Sequence, residues 1–432
     1  MQSTYLSATE TAARLGIKRD TLYAYVSRGL LRSVAVPGSR ARGYRAEDVE
    51  KLRAGRGVSR AGRGEPLVPI IDSAICLIEG GRLYYRGHDA IRLAESATLE
   101  DIADLLWGTE EASARESPHP AAAIAAATLS RSAGEGRKRG ASGTLSRTAG
   151  EGGRGRRPRT GEGRLSLGLI ERCQVRLAEL AASDLAALDL TPAGTARTGR
   201  TILYELAACV GETARAAEPV HRRLAALWRL DAAGSDIVRR CLVLLADHEL
   251  NASTFVARCV ASTGATPYAV VSGALAALSG RRHGGASARA EALFHEIARS
   301  HGSLGRDPLG VMAARLARDE DLPGLGHPLY PERDPRAEAL LAAVTAAMPA
   351  SRPLIDAAVA AARQLSGQWP NVDFALAAAT TALGLPQGAA LGLFVVGRTV
   401  GWIAHAIEQY QSDVLIRPRA RYTGPRPVAA AE

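Results

Sequence analysis

Gly388-Ala389-Ala390-Leu391-Gly392-Leu393-Phe394-Val395-Val396-Gly397-Arg398-Thr399-Val400-Gly401-Trp402-Ile403-Ala404-His405-Ala406-Ile407 is the stretch on which the fold turns. It is nearly all apolar, long enough to cross a bilayer, and carries glycine at four-residue spacing, Gly388/Gly392 and Gly397/Gly401. Arg398 sits at its centre. A guanidinium at the middle of a bilayer costs roughly 2.5–3.5 kcal/mol even on the lenient insertion scale. We therefore read the segment as a helix buried in a protein core, with one functional or paired arginine. No other stretch comes close to this length of apolar sequence, so a soluble protein with no membrane partner is expected.

Composition points the same way. Of 432 residues, 47% are apolar and only 4% aromatic, with alanine and leucine dominant. That balance favours packed helices over β-sandwiches, in a chain with room for about two or three domains. The cysteines, Cys76, Cys173, Cys209, Cys241 and Cys259, are scattered without a C-x-x-C pair. Such a set fits reduced thiols in the cytoplasm and supplies no zinc framework. The opening Met1-Gln2-Ser3-Thr4-Tyr5 lacks the basic-then-apolar pattern of a signal peptide.

The formal charge of +10 is unevenly spread: residues 1–64 carry +8 and residues 128–164 carry +7, leaving a mildly acidic body. The first basic region, residues 1–55, reads as a small helical domain. Ser7-Ala8-Thr9-Glu10 is a capping box ahead of Ala12, Ala13 and Leu15, and the pattern breaks at Gly16. Asp20 can cap a second helix carrying Leu22, Tyr25 and Val26, which ends at Gly29. Two helices about a Gly-containing turn make a helix-turn-helix candidate. Pro37 to Tyr44, with Arg40, Arg42 and Arg45, reads as a basic wing, and Ala46 to Ala54 as a closing helix. The pattern resembles the winged helix-turn-helix of MerR-like and excisionase-like proteins. On that resemblance Lys18, Arg19, Thr21 and Tyr23 would face a DNA major groove, with Arg40 and Arg42 on phosphates. The plain alternative is a retained basic domain that binds nothing specific.

Residues 56–65 read as a Gly/Arg-rich linker, followed by a β-hairpin from Ile71 to Tyr85 around Glu79-Gly80-Gly81-Arg82. In residues 128–164, Thr128-Leu129-Ser130-Arg131 and the five residues after it nearly recur from Thr144. Gly, Ser and Arg without apolar periodicity cannot offset chain entropy, so a disordered insertion is expected there; a nucleic-acid-binding arm is the functional alternative. From Thr201 onward helical periodicity is strong. Val238, Cys241, Leu242 and Leu245 share a face leading into His248, and further helices are expected near 266–279, 286–301, 308–318, 335–348, 352–366, 373–383 and 387–408.

Three motifs carry the chemistry: His283-Gly284-Gly285-Ala286, Gly326-His327-Pro328-Leu329-Tyr330 and Asn371-Val372-Asp373-Phe374. Two imidazoles and a carboxylate suit proton abstraction beside a carbonyl while a second carbonyl is polarised for attack, the needs of a carbon–carbon condensation. Taken singly each has a plain reading: a Gly-flanked histidine can cap a turn, and Asp373 can be a helix N-cap.

Together with Asp247-His248-Glu249-Leu250-Asn251, Ser262-Thr263, Asp334-Pro335-Arg336, Arg398-x-x-Gly401-Trp402 and Arg417-Pro418-Arg419, these motifs stand in an order that resembles the citrate synthase family, from about Val68 to Gly424. The resemblance implies a mainly α, two-lobed helical fold, with a large domain over 66–282 and 385–425 and a small domain over 283–384. It also implies an acyltransferase that condenses acetyl-CoA with oxaloacetate to citrate, the entry reaction of the tricarboxylic acid cycle. In that family pattern Asp373 takes a proton from the acetyl methyl group, His283 donates to the thioester oxygen, and His327 polarises the oxaloacetate ketone. His248, Arg336, Arg398 and Arg417 hold the dianion, Phe394 packs beside it or belongs to the core, and the arginine matching Arg417 reaches the neighbouring subunit's site. The resemblance thus implies a homodimer, no metal and no cofactor beyond the coenzyme A of the substrate thioester.

The pattern departs at Pro328 and Pro331, where many bacterial members carry basic residues that help hold coenzyme A phosphates; Arg333 lies close by. It departs again at Ser287, where many members have Asn. Two further readings stay open: a 2-methylcitrate synthase using propionyl-CoA, and a DNA-binding regulator whose synthase body senses metabolites.

Overall fold

The computed structural model describes residues 5–15, 22, 26, 31, 33–35, 42–46, 49, 71–109, 167–211, 218–300, 307–418, 420 and 423–424. The chain divides into two compact units, Met1–Asp72 and Ser73–Glu432.

In the first unit, strand β1 (Tyr5–Leu6) precedes helix α1 (Ala8–Leu15), and strands β2 (Ser33–Ala35) and β3 (Arg42–Arg45) follow. The capping box at the head of α1 is formed: the Ser7 N–H donates to Glu10 Oε2 at 2.8 Å and the Glu10 N–H to Ser7 Oγ at 3.3 Å. The strands form an antiparallel sheet in the order β1-β3-β2. The basic wing expected over 37–44 has its far edge in β3. The two-residue strand β1 is too short to show alternation and was not expected. Leu6, Leu15, Leu22, Leu31, Tyr44 and Val49 form this unit's own core. Of the DNA-contact candidates only Arg42 is described, where it donates to Ser33 Oγ at 2.8 Å. Lys18, Arg19, Thr21, Tyr23, Arg40, the 56–65 linker and the 128–164 insertion lie outside the described residues.

The second unit opens with the expected hairpin, shorter than its predicted span: β4 (Cys76–Glu79) pairs antiparallel with β5 (Arg82–Tyr85). Gly80 and Gly81 have φ +57° and +74°, the pair of positive values a two-residue type I′ turn needs. A third strand, β6 (His88–Asp89), extends the sheet. Asp89 then caps α2 (Ala90–Ser96) by accepting the Ile91 N–H at 2.9 Å. The rest is helical: α3 (Leu99–Trp107), α4 (Leu169–Ser183), α5 (Pro192–Val210), α6 (Val220–Leu227), α7 (Ala232–Leu245), α8 (Ala252–Ala261), α9 (Pro267–Leu278), α10 (Gly284–Ser300), α11 (Pro308–Leu316), α12 (Pro335–Ala347), α13 (Arg352–Ser366), α14 (Val372–Ala382) and α15 (Ala389–Ser412). Every helix expected from 266 onward is present within a few residues of its predicted ends.

The apolar, glycine-spaced stretch that follows Gly388 is α15. It is the one helix among the described residues long and apolar enough to cross a membrane, yet 94% of its apolar window is buried inside the protein. It packs against α3, α5, α7, α8, α9 and α10. Its glycines explain how so many helices reach it. A Cβ on Gly397 would lie 2.9 Å from the Leu242 carbonyl, and one on Gly401 would strike the Ala246 carbonyl and the Asp247 carboxylate. With no side chain there, α7 lies directly on the α15 backbone, and the Gly401 N–H donates to the Ala246 carbonyl at 3.0 Å. Further on, α10, α12 and α14 pack together, as do α11 and α13.

Gly401→Ala is expected to destabilise the protein by about 1–3 kcal/mol, the range for overpacking a tight contact, read as a lower urea midpoint. An unchanged midpoint would show that α7 and α15 can part without loss.

Candidate active site

Two loops meet beside α14. Gly324 to Tyr330 runs between α11 and α12, and Trp369 to Asn371 leads into α14. Leu325 and Pro370 form a β-bridge, the Gly326 N–H donates to the Trp369 carbonyl at 2.8 Å, and the Asn371 N–H to the Gly324 carbonyl at 2.9 Å. Gly324, at φ +87°, could not carry a Cβ without crowding the backbone nitrogen of Phe374 at 3.0 Å. Asn371 caps α14 by accepting the N–H groups of Asp373 and Phe374, and its own Nδ2 donates to the Gly326 carbonyl at 2.9 Å. The N-cap reading entertained for Asp373 is thereby corrected: Asn371 does the capping. The Asp373 carboxyl is free to accept the hydroxyl proton of Ser287 from α10.

His327 does cap its own turn, because the Leu329 N–H donates to its Nδ1 at 3.1 Å. That bond also fixes the tautomer. A ring accepting at Nδ1 and carrying no net charge has its proton on Nε2. The His327 ring lies edge-on to His248, centroids 4.9 Å apart, and 5.1 Å from Tyr330. Tyr330 in turn meets His248 Nε2 through its hydroxyl at 3.0 Å. His283 stands directly before α10, where a Cβ on the following Gly284 would approach the Leu278 carbonyl to 2.6 Å. Its Nε2 is 2.7 Å from Ser253 Oγ, and its ring meets the Phe394 ring edge-on at 6.0 Å. Ser253 Oγ also accepts the Trp402 indole N–H at 3.2 Å and lies 2.8 Å from Asn251 Oδ1.

Two guanidiniums govern the electrostatics. Arg398 is 2% exposed, donates from Nε to the Leu245 carbonyl at 2.7 Å, and lies 4.8 Å from the Phe394 ring centre. Burial lowers its pKa, while the buried Asp247 carboxylate favours its charge. Arg336, also 2% exposed, binds Asp334 through two parallel hydrogen bonds of 2.9 and 2.7 Å. Burial works against that charge too, but Asp334 outweighs it and holds the Arg336 pKa above the ordinary arginine value.

Around these cations the titrating groups shift as physics requires. Burial, then the charge of Arg398, pushes His283 down to about 4. Burial, then Arg336, does the same to His327, again to about 4. His248 is driven well below the usual histidine value by burial and by both arginines. Asp373 moves the other way: burial raises its pKa, although Ser287, Arg336 and Arg398 each pull it back. The site therefore holds neutral imidazoles and a carboxyl reluctant to ionise, under two fixed positive charges.

Of the residues singled out from sequence, His248, His283, His327, Asp373, Arg336, Arg398 and Phe394 are joined by these contacts and charges. His327 lines a cavity of about 780 Å³ and Asp373 one of about 520 Å³, and the two share Leu325 and Gln368. Arg417 is not part of the cluster within this chain; it is exposed in the tail beyond α15. Ser253, Tyr330 and Asp334 had no role in the sequence reading, and Ser287 entered only as a departure. Their partners stand 30 to 86 positions away except for Asp334, so spacing carried no signal of the contacts.

The fold and the site define a mainly helical protein that gathers two buried arginines, three histidines held neutral and one buried carboxyl. The sequence model described as "Citrate synthase, C-terminal domain" matches residues 191–419, more than half of this chain, and the chain belongs to the citrate synthase family. "MerR HTH family regulatory protein" matches residues 6–58. Among similar proteins, "Citrate synthase" of Haloferax volcanii is 40% identical over 188 residues, 42% of this chain and 48% of that protein. "2-methylcitrate synthase" of Mycobacterium tuberculosis is 38% identical over 191 residues, 42% of this chain and 47% of that one. The chain spans about half the length of the curated relatives it matches. The crystal structure of citrate synthase from Thermotoga maritima superposes with a TM-score of 0.59 at 27% identity, covering 86% of this chain and 98% of that one.

His283 and His327, two of the three depressed histidines, predict how stability responds to acid. In the unfolded chain each ring binds a proton near the ordinary 6.5, but in the folded protein only near 4. Unfolding therefore takes up protons between those values, and stability falls as pH is lowered from about 6.5 to 4. Urea titrations across this window should show the loss, and His327→Gln should reduce it. A slope unaffected by the substitution would contradict the assigned protonation state.

Proposed function

We propose that the protein condenses acetyl-CoA with oxaloacetate to give citrate and free coenzyme A, with His283, His327 and Asp373 as its catalytic residues. The observation that carries this reading is Asp373, a carboxyl held above the usual range by burial and influenced by both Arg336 and Arg398. A thioester α-proton is far less acidic than a carboxylic acid. A base that regains its proton readily and a donor for the enolate oxygen are both needed.

Asp373 takes the methyl proton of acetyl-CoA, and the electron pair moves onto the thioester oxygen. His283 meets that oxygen from Nδ1. It can donate there as a neutral ring once Ser253 turns its hydroxyl proton onto Nε2, 2.7 Å away. The enol carbon then attacks the ketone carbon of oxaloacetate. His327, protonated on Nε2, donates that proton to the ketone oxygen as it becomes a hydroxyl, and the proton Asp373 removed from the methyl group replaces it, so the ring returns to neutral. Water hydrolyses the citryl thioester and releases the thiol. His248, Arg336 and Arg398 receive the two carboxylates of oxaloacetate, and Phe394 packs beside the reacting groups.

The reading includes a large domain over 66–282 and 385–425 closing on a small domain over 283–384, which excludes water before enolisation. It also includes a cytoplasmic homodimer in which Arg417 completes the partner's site; Arg417's exposed place in the tail supports this. The name of the Mycobacterium tuberculosis relative supports propionyl-CoA as the alternative acyl donor. The match of residues 6–58 to MerR regulators supports a second reading, in which the synthase body reports metabolite binding to a DNA-reading domain.

Thiol release is to be measured with acetyl-CoA and with propionyl-CoA, each with oxaloacetate. Turnover is expected, Asp373→Asn should lower kcat about 10²–10⁴-fold, the span of general acid–base catalysis, and Ser253→Ala should lower kcat with little change in oxaloacetate affinity. No release from either thioester, with oxaloacetate still bound, would reject the enzyme and leave the regulator. Binding to one palindrome that persists at high salt would then support regulation.

A further inference from the structure

Beyond the reacting groups, the cavity that includes His327 is also lined by Arg333, Arg363, Gln368 and Trp369. The guanidinium carbon of Arg333 lies 3.7 Å from the centre of the Trp369 ring, and that of Arg363 lies 4.1 Å from the same centre. Two planar cations cannot both sit over the middle of a ring from one side, so they occupy its two faces. Each gains from the ring's negative face, and the indole keeps them apart. With both faces covered, Trp369 has no surface left on which a base could stack.

The clamp is fixed in place from behind. The Trp369 carbonyl accepts the Gly326 N–H, which ties the ring to the loop that carries His327. Arg333 donates from Nη1 to Glu338 at 2.7 Å, and Arg363 from Nη1 to the Gly367 carbonyl. The Nε and Nη2 groups of both have no hydrogen-bond partner among the described residues. Glu332 lines the same cavity and offsets part of the charge. Two guanidinium forks with unused donors, set on the faces of one ring, suit an anion with several oxygens. At Pro328 and Pro331 the loop itself supplies no cation.

We propose that Arg333 and Arg363, held on the faces of Trp369, form a phosphate-binding subsite that receives the phosphorylated end of the acyl thioester. This rests on the acyl-CoA reading of the site. The same chemistry would also accept a free nucleoside polyphosphate, so the test separates the two sources.

Calorimetric titration of the full chain with coenzyme A and with ATP is to be compared between the wild type and the Arg333→Ala/Arg363→Ala variant. Coenzyme A affinity should fall at least 10-fold while oxaloacetate affinity is retained, which also reports an intact fold. In the thiol assay the variant's KM should rise at least 10-fold for acetyl-CoA and stay level for acetyl-pantetheine, a thioester without phosphates. Unchanged coenzyme A affinity, or equal KM changes for the two thioesters, would overturn the proposal. So would loss of ATP binding alone, which would give the subsite to a free nucleotide. Because the titration needs no turnover, a protein that releases no thiol but loses coenzyme A affinity in the variant keeps the subsite and rejects only the proposed reaction.

Discussion

A guanidinium buried in the middle of an apolar helix is the constraint from which the rest of this structure follows. Arg398 stands among apolar residues of α15 and is only 2% exposed, so its guanidinium is cut off from water. Its charge survives because the Leu245 carbonyl accepts its Nε and the Asp247 carboxylate is buried nearby. Arg336 obeys the same logic with a closer partner, Asp334. Desolvated cations of this kind are costly unless paired, and they strengthen every interaction with an anion brought beside them. Burial first, and then these cations, keep three histidines around them neutral, able to act as hydrogen-bond donors without carrying charge of their own.

The glycine spacing in α15 is the packing side of the same arrangement. Gly397 and Gly401 bring α7 onto the α15 backbone, and the end of α7 leads to Asp247 and His248. Asp247, which supports the Arg398 charge, and His248, which we propose receives oxaloacetate, therefore sit on adjacent positions of one tightly held junction. The loop pair at Gly324–Tyr330 and Trp369–Asn371 performs the matching task opposite, where backbone hydrogen bonds and the Asn371 side chain hold His327 and Asp373 in register.

Much of this was legible in the sequence because it rests on local rules. Apolar periodicity located the helices from α9 to α15, Gly80-Gly81 located the hairpin turn, and Ser7 with Glu10 located the head of α1. Arg398 declared itself by its cost. The supporting contacts were not legible, since Ser253 with His283, Ser287 with Asp373 and Tyr330 with His248 join residues far apart in the chain, and a serine or tyrosine has many other uses. Strand β1 escaped notice because two residues cannot display a period. In the sequence Asp373 is a plain candidate cap of its helix, and only geometry shows that Asn371 satisfies the backbone and leaves Asp373 to face Ser287.

The most direct measurement of this account is the protonation of the imidazoles themselves. Nitrogen-15 spectra of the folded protein labelled at histidine, recorded at neutral pH and assigned with His327→Gln, report charge and tautomer for each ring. The account predicts a neutral His327 with its proton on Nε2 and an unprotonated Nδ1, and a neutral His283 that stays so well below pH 6. A His327 signal from the doubly protonated cation at neutral pH, or from the opposite tautomer, would contradict it.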